Sequence, residues 1–126
     1  MKIVALDRAY WPQGGYGHWC PACNSGHEIN VDAPNASGAR WSFNGDRDRP
    51  TFSPSVNMRW GVYADPNWRD PDGNERGGIC HYFITDGRII YCGDCTHDLR
   101  GQTVDLPDLP KHAYLTSQHA ARRGVT

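Results

Sequence analysis

Five cysteines fall along the chain as Cys20-x-x-Cys23, a single Cys80, and Cys92-x-x-Cys95. Two C-x-x-C pairs far apart form the pattern of a structural zinc site. Each pair wraps one side of the ion in a tight knuckle, and four thiolates close a tetrahedron. The expected ligands are therefore Cys20, Cys23, Cys92 and Cys95, with Cys80, His81 and His97 as alternatives. Iron accepts four thiolates as readily as zinc does. The pairs stand much further apart than the about 15–20 residues of a compact finger, so the ion would staple distant parts of one small domain. A redox dithiol needs a βαβ setting, which neither pair has. Taken singly, His27, four residues past Cys23, and the other nearby histidines read as ordinary polar residues; as a cluster they could replace a cysteine or orient a ligand by a hydrogen bond. Cys80 reads first as a buried small hydrophobe, then as a fourth ligand, and last as a nucleophile.

Catalysis would have to come from the same corner. Asp94, His81, His97 and Cys80 are the candidates if the protein is an enzyme. Were a histidine a ligand and one position open, zinc-bound water would become a nucleophile near neutral pH, with Asp94 or a spare histidine as base. The simpler role for Asp94 is to cap the turn between Cys92 and Cys95. No G-x-S-x-G, phosphate-binding loop, dinucleotide fingerprint or H-E-x-x-H is present, so the common catalytic templates are unmatched.

The elements that must position these residues are β-strands. Residues 79–84 and 88–92 flank Thr85-Asp86-Gly87, and Asp-Gly between β-rich runs signals a type I′ hairpin. With Asp86-Gly87 as the loop, Phe83 faces Ile90, Tyr82 faces Tyr91 and His81 faces Cys92. Alternation then puts His81, Phe83, Ile90 and Cys92 on one face and Cys80 on the other. Further strands are expected over residues 1–6, 27–31, 41–43, 56–63 and 103–106. Pro50 and Pro54 bar a helix over residues 50–55. Gly14, Gly15 and Gly17 read as a flexible approach to the first knuckle, and residues 64–78 as a polar loop. The fold class is mainly β: one compact antiparallel-sheet domain over residues 1–110, stapled by zinc. A C-terminal tail follows over residues 111–126, with a short helix around residues 113–123.

Composition agrees. Fourteen glycines and nine prolines exclude a helical bundle. Val, Ile and Leu number 17 against 14 aromatic residues, so Trp19, Trp41, Trp60, Phe43, Phe52, Tyr82 and Tyr91 are expected to build the core. A net charge of −1 with interleaved signs lacks the basic excess that grips a phosphate backbone, which argues against nucleic-acid binding. No run approaches the ~18 apolar residues of a membrane span, so no membrane partner is expected.

Several motifs together resemble a family of small proteins of unknown function encoded largely by tailed phages and prophages. They are C-P-x-C at Cys20, Trp41-Ser42-Phe43-Asn44-Gly45-Asp46, Pro50-Thr51-Phe52-Ser53-Pro54-Ser55, Cys80-His81-Tyr82-Phe83-Ile84, and Asp94-Cys95-Thr96-His97 followed by Gly101-Gln102-Thr103-Val104-Asp105-Leu106-Pro107. The resemblance implies a phage origin and no established activity. The expected function is a phage-encoded zinc protein that engages a host protein in the host cytoplasm, for takeover or counter-defence. The alternatives are a metal-dependent hydrolase with a Cys/His zinc site, and a minor virion component.

Overall fold

The computed structural model describes residues 1–59, 78–111 and 113. Two antiparallel sheets share one core. The first takes β1 (Ile3–Ala5), β2 (Gly15–Cys20) and β3 (Ser25–Asn30) in sequence order. The second is a five-stranded meander of β4 (Ser42–Phe43), β5 (Phe52–Arg59), β6 (Ile79–Thr85), β7 (Arg88–Tyr91) and β8 (Thr103–Asp105). The mainly β, antiparallel class read from the sequence is the class observed. No helix is present among the described residues, and none there is long and apolar enough to cross a membrane.

The hairpin of β6 and β7 has the expected register: Tyr82 faces Tyr91, Phe83 faces Ile90, and Thr85 faces Arg88. Asp86 and Gly87 both take positive φ, 51° and 75°, as a type I′ loop requires. Along β6 the alternation is clean. Cys80, Tyr82 and Ile84 point into the core, while His81 is half-buried and Phe83 exposed on the outer face.

β2 is a strand where a flexible approach was expected. Glycine served there for close approach rather than for flexibility. Gly15 has φ of +139°, and a Cβ on it would lie 1.9 Å from the carbonyl oxygen of Ile29 on β3. Only a residue without a side chain lets the two backbones meet there. β2 and β3 then pair His18 with His27 and Cys20 with Ser25, so both histidines are buried.

The core is less aromatic than its composition suggested. Phe52, Tyr82 and Tyr91 are buried, but Trp19, Trp41 and Phe43 are only half-buried. Ile3, Ile29, Ile84, Ile89 and Leu106 fill the centre with Cys20 and Cys80. Trp60, nearly all of the loop expected over residues 64–78, and all but residue 113 of the expected short helix lie outside the described residues.

Candidate active site

The outer face of β6 carries His81, and an irregularity in β5 brings Ser55 to it. From Phe52 to Val56, β5 advances four residues while its partner β6 moves from Ile84 to Tyr82. Such a bulge breaks the ladder and re-aims a side chain, a device common beside active sites. Beyond it the register is regular, with Asn57 facing His81. Ser55 therefore lies diagonal to His81 on the same face, within reach of a long side chain. The indole of Trp41 donates to the Ser55 carbonyl at 3.2 Å and fixes the bulged backbone.

The hydroxyl of Ser55 lies 3.1 Å from Nε2 of His81. On the other side of the ring, both carboxylate oxygens of Asp94 lie 3.1 Å from Nδ1. A serine, a histidine and an aspartate are thus joined in a row, the arrangement that a nucleophile, a base and an orienting carboxylate would need. The His81 side chain is 25% exposed and that of Asp94 is 49% exposed, so the site opens to solvent. The exposed Phe83 ring stands beside it, 6.3 Å from His81.

Asp94 is held in place by the loop that follows β7. The backbone N–H of Cys92 donates to the His81 carbonyl at 2.9 Å. Cys95 brackets the same residue. Its sulfur accepts the His81 N–H at 3.3 Å and donates to the His81 carbonyl at 3.1 Å. Thr96 repeats the pattern one step away, its hydroxyl accepting the N–H of Ile79 at 2.9 Å and its own N–H donating to the Ile79 carbonyl. Asp94, for which a turn cap was the simpler expectation, thereby lies against the His81 ring.

The cysteines sort differently from the expected four-thiolate set. Cys20 and Cys80 lie 3.9 Å apart between the sheets and form a metal-competent group with His27. Cys92 falls in a second group, with His81 and Asp94 on the outer face. Cys95 belongs to neither, and its thiol is engaged by the His81 backbone. Alternation along β6 causes the split: Cys80 points inward and its neighbour His81 outward.

Electrostatics of the inner group follow from burial. Hydrogen bonds from the thiols of Cys23 and Cys80 hold Cys20 far below the ordinary thiol range, and the same contacts push Cys80 far above it. The Tyr91 hydroxyl lies 3.0 Å from the Cys20 sulfur, and the Cys23 N–H donates to that sulfur at 3.4 Å. Burial, then the neighbouring His27, lowers His18 to about 3. Burial also lowers His27 and His97. Burial pushes up the hydroxyl of Tyr82 and the thiols of Cys92 and Cys95. His97 accepts the Leu99 N–H on Nδ1 at 3.2 Å and packs edge-on against Tyr91. It takes no part in the Ser55, His81 and Asp94 arrangement.

A family model described as "Bacterial ubiquitination-like system serine protease (BubE)" matches residues 2–92. The chain belongs to this family. The matched span contains Ser55 and His81 and stops just short of Asp94. Searches of curated proteins and of solved structures returned no match. Membership of the BubE family overturns the expectation of a phage-encoded module for capturing a host protein. The family's description sets it in a bacterial system and makes it a protease, and nothing supports a phage origin. That description names neither a metal-dependent hydrolase nor a virion component. A serine protease draws its nucleophile from a side-chain hydroxyl rather than from metal-bound water.

Among the residues weighed for catalysis, His81 and Asp94 meet in the site, whereas Cys80 and His97 stand apart from it. Ser55 was missed. It follows a proline in a stretch without the glycines of a nucleophile elbow. Its signals were its place in the motif of residues 50–55 and two prolines within a β-rich stretch, which in a strand interior mark an irregularity.

Proposed function

We propose that the protein is a serine peptidase acting within a bacterial ubiquitination-like system, with Ser55 as nucleophile, His81 as general base and Asp94 as its orienting partner. The observation that carries this reading is the chain of contacts from Ser55 Oγ to His81 Nε2 and from His81 Nδ1 to Asp94, each 3.1 Å. The family's description supports the same chemistry.

In this mechanism His81 takes the Ser55 proton on Nε2 as the oxygen attacks the scissile carbonyl. Asp94 accepts the Nδ1 proton as a hydrogen bond, fixes the tautomer and stabilises the imidazolium that forms. His81 then returns the proton to the leaving amine, and the C–N bond breaks. Water, deprotonated by His81, hydrolyses the Ser55 ester and restores the hydroxyl. Phe83, exposed next to the triad, offers an apolar contact for the substrate chain.

The test is hydrolysis of peptide and isopeptide substrates built on a bacterial ubiquitin-like protein. Ser55→Ala and His81→Ala should each lower kcat by about 10³-fold or more, with the fold unchanged by circular dichroism. Full activity in Ser55→Ala would end this reading.

The same reading gives the inner Cys20, His27 and Cys80 group to zinc as a structural ion. Thiolate and imidazole ligands suit zinc, and a site enclosed by protein leaves no position for substrate.

A further inference from the structure

We propose that Cys23 completes the inner group, so that Cys20, Cys23, Cys80 and His27 form a closed zinc site that ties the two sheets together and holds β6 where His81 reaches Ser55. The ligand set rests on the zinc reading above, and the clamp's effect at Ser55 rests also on the serine reading.

The first support is geometric. Four ligands around zinc with Zn–S of about 2.3 Å place neighbouring sulfurs about 3.8 Å apart. Cys20 and Cys80 stand 3.9 Å apart, and a ring nitrogen of His27 lies within 4.8 Å of both sulfurs. Cys20, Cys80 and His27 are each at most 1% exposed.

The fourth ligand follows from chemistry. Cys23 follows Cys20 in the C-x-x-C turn, and its backbone N–H points at the Cys20 sulfur at 3.4 Å. This N–H to sulfur contact is how a C-x-x-C knuckle supports its first ligand. The two competitors are disqualified by their own bonds. His97 accepts a backbone N–H on Nδ1, so its neutral ring carries the proton on Nε2 and has no lone pair to offer there. The sulfur of Cys95 donates to the His81 carbonyl and is therefore a thiol.

The tautomer of His27 fits as well. Tyr82 lies between the two buried histidines, 2.9 Å from His27 Nδ1 and 2.7 Å from His18 Nε2. When His27 Nδ1 donates to Tyr82 and Tyr82 donates to His18, Nε2 is the His27 nitrogen that carries the ring lone pair. A ligand histidine is normally oriented by such a partner. Loading releases the remaining thiol protons, and the resulting single negative charge is shared with Tyr91 O–H and Cys23 N–H.

The consequence lies in adjacency. Cys20 and His27 are on β2 and β3, while Cys80 is on β6 and precedes His81 directly. The clamp grips one face of β6 and the triad uses the other.

The test combines metal content, cobalt spectroscopy and labelling of Ser55 by a fluorophosphonate, all on the full chain. The wild-type protein should hold one zinc per chain, and its cobalt form should show a tetrahedral spectrum with three thiolates. Cys23→Ser should show two thiolates, and His27→Cys should keep zinc with four. Ser55→Ala should keep its zinc, which separates this claim from the serine chemistry. Zinc removal by a chelator should slow labelling of wild-type Ser55 about tenfold or more. A zinc-free wild-type protein, or three thiolates persisting in Cys23→Ser, would overturn the ligand set. An unchanged labelling rate after chelation would overturn the clamp.

Discussion

At the scale of single residues, the site depends on which atom each side chain offers. Asp94 matters for its acceptor oxygens on His81 Nδ1. Asp94→Asn keeps the shape but favours the wrong tautomer, and should lower kcat by about 10³–10⁴-fold, measured by steady-state kinetics. Cys95 matters for the two bonds its sulfur makes with the His81 backbone. Cys95→Ala should lower kcat about tenfold or more with KM nearly unchanged, because the histidine shifts while the binding surface does not. Cys95→Ser, whose hydroxyl can also donate and accept, should recover most of that loss. His81 and Asp94 were singled out in the sequence, with Cys80, Cys95 and His97, because these residues fell in one predicted corner. Ser55 was not, because a serine hydroxyl acquires its role only from the neighbour that takes its proton.

At the scale of elements, sequence legibility followed local rules and ended where strands from different sheets meet. The Asp86-Gly87 turn was enough to read the register of β6 and β7, and with it the opposite faces of Cys80 and His81. Spacing alone made Cys20, Cys23, Cys92 and Cys95 a set. The structure instead groups Cys20 with Cys80 and His27, a pairing across two sheets that no local pattern announces. β2 was missed because its glycines were read for freedom, whereas Gly15 is there to admit the Ile29 carbonyl. Gly15→Ala should therefore destabilise the fold by about 1–3 kcal/mol, or more if the sheet cannot relax. Thermal or urea unfolding checks this. A variant with wild-type stability would show that β2 and β3 do not approach as described.

At the scale of the whole molecule, one strand joins two sites with different tasks. β6 turns Cys80 towards the interior, where the thiol cluster lies between the sheets, and His81 towards solvent, where Ser55 and Asp94 meet it. A domain with 17 aliphatic Val, Ile and Leu residues has a modest hydrophobic core, so a metal clamp would supply much of its rigidity. Zinc removal should accordingly lower the thermal midpoint by about 10 °C or more, as expected for losing a few kcal/mol in a small domain. Re-addition of zinc should restore it. The central claim is that Ser55 is a nucleophile activated by His81. The most direct measurement is intact mass and peptide mapping after treatment with a fluorophosphonate probe. The account predicts one adduct per chain, on Ser55, absent in both Ser55→Ala and His81→Ala. A folded wild-type protein that takes no label, or takes it at a residue other than Ser55, would contradict it.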